Sequence, residues 1–566
     1  MVRRWRRFMV VAAVAGLMLT TAGCSEPDVT PAPAEPLVLI TPKPTTYEPQ
    51  EGQFELTADA GIIVPPDDEV RGNVGEYLAR ILRRSTGFEI PVTQDPASSP
   101  EPSIEFALTS DHTLDERYDI SISSDGLTVR SATAEGLFRA AQTVRQLFGP
   151  DVESSTTSQD VAEDTAKPSS QVSTPASSDS DAGTPDPTAS PGLDPSSADA
   201  TSSPSLASDR RWIVPAATIT DEPTYAYRGL MIDIARHFFD KEAIMRQIDL
   251  AAGYKINTVH LHLSDDQGWR IEIKAYPALT EIGSLTAVDG DPGGYLTQAD
   301  FTEIVEYAAD RYIEIIPEID MPGHVNAALV SIPELNPDGI AATPRTDIEV
   351  GHSTLQSGSA ATYTFVEAVL SELAAISPSE YLHIGGDEAD STSAEDYNFF
   401  MQRAAALTVR QGKTPIAWWP NSAGTGAPEG TTIQNHLCFD RDECYVGDWT
   451  PTSILSPAQT YLDMKYDVTT PIGLKWRGYV NLETAYAWEP TDLAPAEAIL
   501  GIESTLWTET IRTQADMDYL LYPRLLANAE VAWSSPQNRD WNDFTARLPD
   551  QLERLDRLGV GYSQDY

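Results

Sequence analysis

Cysteine is almost missing from this chain, with three in 566 residues. That excludes a disulfide framework and a Cys-rich zinc module, both of which need more thiols at regular spacing. Basic residues are scarce as well: 38 Lys plus Arg stand against 85 Asp plus Glu, for a net charge of −47 and a pI near 4.3. Such a surface repels a phosphate backbone, so nucleic acid is excluded as a partner, and anionic lipid headgroups are disfavoured. No Walker-type glycine loop is present to cradle a nucleotide. Beyond the first twenty residues no apolar run is long enough to span a bilayer. What remains is ample core, 41% hydrophobic, in a length that a prior of about 150 residues per domain divides into two to four units.

The amino terminus carries Arg3, Arg4, Arg6 and Arg7, an apolar run from Phe8 to Leu19, and then Thr21-Ala22-Gly23-Cys24. A basic stretch, a short apolar stretch and small residues before a cut describe an export signal over 1–23. The cysteine, followed by a polar Pro-rich tether over 24–35, is similar to a bacterial lipobox, although Thr21 stands where such boxes prefer Leu. Two outcomes are open: Cys24 becomes a lipid-bearing terminus that anchors the chain to the outer face of the cytoplasmic membrane, or cleavage near Ala22 secretes it. The other two cysteines, Cys438 and Cys444, lie six apart in CFDRDEC, which suggests a short-loop disulfide in an oxidising exterior. Only His436 lies near them, so a metal site there falls short of four ligands.

Residues 151–209 hold 30 Ser, Thr or Pro in 59, no aromatic residue, and 11 acids against one Lys. Too little apolar surface is available to offset ordering entropy, so disorder is expected. Helical periodicity in Ala134 to Phe148 before it and alternation in Arg211 to Ile219 after it place this stretch as an insertion into one small α+β domain over about 36–222. Leu37 to Ile40, Ile62 to Val64 and Ile104 to Leu108 read as strands of that domain, and Val74 to Thr86 as a helix.

From Tyr225 onward short apolar runs alternate with amphipathic stretches. The runs are Gly229 to Ile234, Thr258 to Leu263, Ile313 to Ile319, Tyr381 to Ile384, Thr414 to Trp418, Thr431 to Leu437 and Ile499 to Leu506. The amphipathic stretches are Lys241 to Tyr254, Gln298 to Arg311, Tyr363 to Ile376 and Ala394 to Gln411. Repeated strand and helix over 223–566 predicts a (β/α)8 barrel of the TIM type. In such barrels catalytic groups follow the strands' C-terminal ends. That rule collects Arg236 and His237, Asp265 and Asp266, Asp320 and His324, Asp387 and Glu388, and Glu509. Seven of eight histidines and nine of eleven tryptophans fall in this half. Carboxylates, one Arg and many Trp around one mouth suit a neutral, hydroxyl-rich ring, since indole faces stack on sugar C–H surfaces and charged groups bind hydroxyls. Adjacent Asp387 and Glu388 are poorly placed as the opposed acid and nucleophile of an ordinary retaining glycosidase, whose carboxyls lie about 5–5.5 Å apart across the scissile bond. This points to a second nucleophile that is not on the protein. His260 and His262 form an HxH pair on one strand face, but no matching pair accompanies them, so a packed, hydrogen-bonded role is expected and no metal or other cofactor. Arg228 at the foot of the first barrel strand is expected to be ion-paired, and Asp266 to cap its own turn.

RGLMIDIARHF from Arg228, HLHLSDDQGWR from His260, PEIDMPGH from Pro317, HIGGDE at 383–388, YLDMKYD from Tyr461 and ESTLWTE from Glu503 together strongly resemble glycoside hydrolase family 20, the β-N-acetylhexosaminidases. The resemblance runs from about 36 to 535. It implies substrate-assisted retention, an exception to the two-carboxylate scheme. Glu388 would be the general acid, then the base; Asp387 would orient the substrate's 2-acetamido group for attack on C1. Tyr461 would bond the acetamido carbonyl, Arg236 the 3- and 4-hydroxyls, and Asp463 and Glu509 the 4- and 6-hydroxyls. Trp418, Trp476 and Trp507 would line the pocket, and Asp265 and His324 would complete the binding site, with Asp320 in support. The implied partners are glycans or chitooligosaccharides ending in β-linked GlcNAc or GalNAc. Two alternatives stay open: a lacto-N-biosidase-like enzyme that releases a disaccharide, and a catalytically inactive surface glycan-binding protein. One departure is notable. Where the family commonly has Trp in a VQYW-like strand, this chain has IQNHL, which puts His436 at the aromatic position and places fine specificity in question.

Overall fold

In the computed structural model the described residues are 39–65, 69–95, 101–110, 116–155, 210–419, 428, 430–436 and 453–566. Cys24, Cys438, Cys444, the 1–23 signal, the 24–35 tether and most of the insertion lie outside them.

Seven strands form the first sheet: β1 Thr46–Leu56, β2 Gly61–Ile63, β3 Val92–Thr93, β4 Ser103–Leu108, β5 Tyr118–Ile122, β6 Gly126–Ser131 and β7 Trp212–Asp221, in the order β1-β7-β5-β6-β4-β2-β3. Alternation sets the buried face, with Tyr118, Ile120 and Ile122 on β5 and Leu127 and Val129 on β6 turned inward. The helix Ala134–Leu147 covers that face. Thr133 starts it by accepting a bond from Gly136 N, and Leu137, Phe138, Ala141 and Val144 are buried along it. β1, β3, β5 and β6 have no counterpart among the strands read from sequence, and three further details differ from expectation. No strand forms at Leu39 and Ile40, because their carbonyls are taken by side chains, Leu39 O by Gln551 Nε2 and Ile40 O by Arg547 Nη1. The helix read from Val74 begins earlier and spans Glu69–Thr86. The boundary of the insertion at 151 is corrected too: Pro150–Glu153 is a 3-10 helix, and buried Glu153 pairs with Arg145 and Arg554.

The second sheet is a closed parallel barrel of eight strands: β8 Tyr227–Asp233, β9 Thr258–His262, β10 Glu314–Glu318, β11 Tyr381–His383, β12 Thr414–Trp419, β13 Thr432–His436, β14 Ser453–Ser456 and β15 Ile499–Leu506. This is the expected (β/α)8 fold. Helices Lys241–Gly253, Gln298–Ala309, Ala360–Ile376 and Ala394–Arg410 occupy the amphipathic stretches. β14 has no counterpart among the strands read from sequence, since SILS is too short to carry a period. The barrel interior changes character along its axis. Near the foot Tyr227, Ile316, Ile416 and Ile454 form an apolar cluster. Above it the inward positions are His260, Glu318, His383, Gln434 and Glu503, all buried. Gly229 makes room for this polar layer, because a Cβ there would fall 2.6 Å from Glu503 Oε2.

The α+β domain packs against the barrel through buried ion pairs. Lys255 Nζ donates to Asp221 Oδ2 at 2.7 Å and to Tyr118 OH at 2.8 Å, and lies 4.5 Å from the Trp533 ring centroid. Arg228, expected to be ion-paired, donates to Glu116, which also accepts from Arg139. Burial alone would raise the Glu116 pKa, but the two guanidinium groups outweigh it and hold the carboxyl at about 2.

Candidate active site

The residues collected after apolar runs follow barrel strands' C-terminal ends in the structure, and so do Tyr461 and Asp463, which the family resemblance supplied. Arg236 lies just past β8, Asp265 past β9, Asp320 and His324 past β10, Asp387 and Glu388 past β11, Tyr461 and Asp463 past β14, and Trp507 and Glu509 past β15; Trp418 and His436 sit at the upper ends of β12 and β13. A cavity of about 480 Å³ lies at the barrel's opposite end, lined by Tyr227, Asn257, Glu314 and Tyr381, and contains none of these groups.

After β11 the chain leaves strand geometry at Gly385 (φ 64°) and Gly386 (φ 112°), and Glu388 itself has φ 41°. Only glycine fits at 385, since a Cβ there would lie 1.7 Å from Asp320 Oδ1. The same Asp320 oxygen accepts from Gly386 N at 2.9 Å and so fixes the turn. Its consequence is that Asp387 and Glu388, which a regular strand would send to opposite faces, converge with His324: one ligand-type atom from each lies within 4.8 Å of the others.

Behind Glu388 runs a chain of alternating charge. His324 Nε2 is 3.6 Å from Glu388 Oε2, and His324 Nδ1 is 3.1 Å from Asp265 Oδ1. Asp265 Oδ2 meets Arg236 Nη2 at 2.8 Å and His262 Nε2 at 2.9 Å, while His262 Nδ1 faces Glu318 Oε2 at 2.6 Å. With a carboxylate on each ring nitrogen, His262 must carry both protons. Against the downward push of burial, Glu318 and Asp265 hold its pKa well above the usual histidine value. Burial would raise Asp265, but Arg236 and His324 keep its carboxyl well below the usual range. Glu388 has the opposite balance. Burial first, and then the Asp387 charge, push it up to about 7.

The pocket side is aromatic and rich in acceptors. Trp418 packs 5.0 Å from His436 and 5.7 Å from Trp507, between ring centroids. Trp418 Nε1 donates to Glu318 Oε1 at 2.6 Å, Arg236 lies 4.8 Å from the Trp507 ring, and Tyr461 OH is 3.4 Å from His436 Nδ1. Trp476 meets Tyr461 edge-on at 5.4 Å and stands half-exposed at the rim. Asp387 Oδ1, both carboxylate oxygens of Asp463 and Glu509 Oε2 are buried with no donor in hydrogen-bond geometry among the described residues. Burial, together with each other's charge, raises the Asp463 pKa well above its usual value. An ionised carboxyl only accepts and a protonated one also donates, so a compatible ligand brings hydroxyls, which do both, and an N–H for an ionised acceptor.

Asp265 and His324, expected to complete the binding site, are 1% and 2% exposed, no less accessible than Tyr461 and Asp463; Asp265 is held by Arg236, His262 and His324, and His324 Nε2 faces Glu388. Asp266 caps no local turn but accepts from Asn326 N and Ser353 OH, pinning a distant loop. His260 and His262 are hydrogen-bonded inside the barrel, the role expected for an HxH pair without a matching second pair. In three sets of side chains close enough for a cation, Glu318 and Asp265 already face imidazole nitrogens at 2.6 to 3.1 Å, while Asp320 accepts from Gly386 N. The sequence reading missed Glu318, Glu503 and Asp233. Asp233 Oδ1 accepts from Ala235 N and Arg236 N, and Oδ2 from Thr508 N, which shapes the loop carrying Arg236 and ties β8 to β15. A carboxylate inside or at the end of an otherwise apolar run is the signal the sequence offers.

Comparison with known proteins agrees with this geometry. Residues 225–536 match the model for the glycosyl hydrolase family 20 catalytic domain, and residues 38–166 match domain 2 of the same family. A β-N-acetylhexosaminidase of Cellulomonas fimi is 35% identical over 532 residues, covering 93% of this chain and 95% of its own. The solved GH20 β-N-acetylhexosaminidase of Streptomyces coelicolor A3(2) has 38% identity and a TM-score of 0.79, covering 94% of this chain and 98% of its own. A mutant Streptomyces plicatus β-hexosaminidase, solved in complex with product GlcNAc, has 37% identity and a TM-score of 0.78 at the same coverage.

Proposed function

Because the chain belongs to glycosyl hydrolase family 20 and is a glycoside hydrolase of the β-N-acetylhexosaminidase class, we propose that it removes terminal β-linked GlcNAc or GalNAc with retention, through an oxazolinium intermediate. The observation that carries this reading is the Asp387 oxygen left without a donor beside a carboxyl pushed up to about 7. In the proposed first step Glu388, protonated, gives its proton to the glycosidic oxygen. The acetamido carbonyl oxygen attacks C1 as the C1–O glycosidic bond breaks and the protonated aglycone leaves as an alcohol, and Asp387 accepts the acetamido N–H and balances the charge that develops on the ring. Tyr461 orients the carbonyl. In the second step Glu388, now a carboxylate, takes a proton from water, which opens the oxazolinium at C1.

Arg236, Asp463 and Glu509 bind the far hydroxyls, and the two carboxylates close the pocket beyond the 4-hydroxyl, which supports exo action. Trp418 and Trp507 form the apolar floor, and Trp476 is the outer platform. For the amino terminus we propose export, with Cys24 as the lipid-bearing residue; labelling with palmitate, abolished in Cys24→Ala, tests it.

A panel of aryl β-GlcNAc, β-GalNAc and lacto-N-biose glycosides across pH 4–8 decides the reaction. Release of the monosaccharide is the expected result. Disaccharide release would replace exo action by the lacto-N-biosidase reading, and inertness toward every substrate would leave a glycan-binding protein.

A further inference from the structure

Beneath both halves of the pocket lies a carboxylate that substrate does not reach. Glu318 ends β10 with no solvent exposure, and strand register sets it beside His262 of β9 and His383 of β11. Its two oxygens serve different neighbours. Oε2 accepts from His262 Nδ1 at 2.6 Å, and from His262 the chain runs through Asp265 and His324 to Glu388. Oε1 accepts from Trp418 Nε1 at 2.6 Å, and Trp418 in turn packs on His436 and Trp507. His260 Nε2 and His383 Nδ1 stand 3.0 Å from the same carboxylate; His260 adds positive potential there, whereas His383, whose pKa burial lowers and whose Nδ1 accepts from Gly385 N at 3.1 Å, adds none. One planar group cannot move its two oxygens independently. The acid-side chain and the aromatic floor are therefore referenced to a single side chain.

We infer that Glu318 is a positioning residue for two things at once, the donor chain behind the general acid and the indole that floors the sugar pocket. The inference rests on the reading of Glu388 as the acid. Its chemistry is specific to a carboxylate. A glutamine keeps the shape but offers one acceptor oxygen where two are used. Whichever way the amide turns, one of His262 and Trp418 loses its acceptor, and the other bond loses its charge assistance.

The experiment measures kcat and KM for wild type, Glu318→Gln, His262→Gln and Trp418→Phe. The substrates are aryl β-N-acetylglucosaminides with graded leaving groups, from 2,4-dinitrophenyl to 4-methylumbelliferyl, together with chitobiose. A defect in proton donation grows as the leaving group becomes more basic, and a defect in the floor does not. Glu318→Gln is expected to lower kcat/KM about tenfold on the dinitrophenyl substrate and about 10²-fold on chitobiose, with KM raised throughout. His262→Gln should reproduce the leaving-group dependence alone, and Trp418→Phe the raised KM alone. A loss of equal size on all substrates for Glu318→Gln, or a profile matching only one single-arm variant, would overturn the inference. Should Glu318→Gln fail to fold by circular dichroism, the single-arm variants decide, and a uniform loss in His262→Gln overturns it. A wild type inert on the whole series rejects the functional reading; an active wild type with a flat Glu318→Gln profile rejects only the inference.

Discussion

Two buried charge networks in this molecule are built to opposite specifications. At the interface between the α+β domain and the barrel, Asp221 receives Lys255, Tyr118, the Trp533 indole and Thr45 N, and Glu116 receives two arginines. At the upper mouth of the barrel Asp387, Asp463 and Glu509 keep oxygens that no protein donor meets among the described residues. Burial is close to complete on both sides except at Glu509, which is partly exposed, so the main difference is in pairing. A charge paired on every side holds two domains in register, whereas a buried acceptor without a donor lowers stability and is tolerated where a ligand supplies the missing N–H or O–H.

The contrast can be broken most severely at the site itself. Glu388→Gln should lower kcat/KM for chitobiose by about 10²- to 10⁴-fold, the usual worth of a general acid, with thermal unfolding unchanged. At the interface the effects should exchange places. Lys255→Met leaves Asp221 buried without its cation and should cost about 3–5 kcal/mol in denaturant unfolding; a loss under 1 kcal/mol would mean that the interface pair is idle.

Acidity separates the two networks next. Glu388, raised to about 7, is protonated below that value, so hydrolysis of substrates with basic leaving groups should decline as pH rises through about 7. Glu116 is depressed to about 2, so its contribution to stability is present above the ordinary Glu value near 4.5 and is lost as pH falls from there toward 2. A pH–rate profile and a pH series of melting curves check the two limbs. The smallest expected effect is a gain: Asp463→Asn removes an ill-paired buried carboxyl and should add about 1 kcal/mol to stability while raising KM.

Strand and helix periods made the barrel and most of its elements legible in the sequence, and the polar residues after each run marked the mouth. What did not show was the role of groups inside the barrel. His260, Glu318 and Glu503 sit at inward positions where branched aliphatics are the rule, and nothing local distinguishes an ion-paired core residue from a substrate contact. For the same reason, position after a strand locates Asp265 and His324 at the mouth but does not say which way their hydrogen bonds run. β1 was overlooked because its alternation is nearly all exposed until Phe54 and Leu56, and β14 because four residues hold no period.

The link between the first described residues and the last helix has a consequence for how the chain is made. Ile40 O and Thr41 Oγ1 accept from Arg547, Lys43 N donates to Glu530, and Leu39 O accepts from Gln551. These partners are separated by about five hundred residues of sequence, so the α+β domain emerges from the ribosome long before the groups that latch it exist. Closure is thus the final event of synthesis, and a chain truncated before residue 530 would hold a nearly complete barrel whose opening segment keeps only its bonds to Gln146 and Asp221.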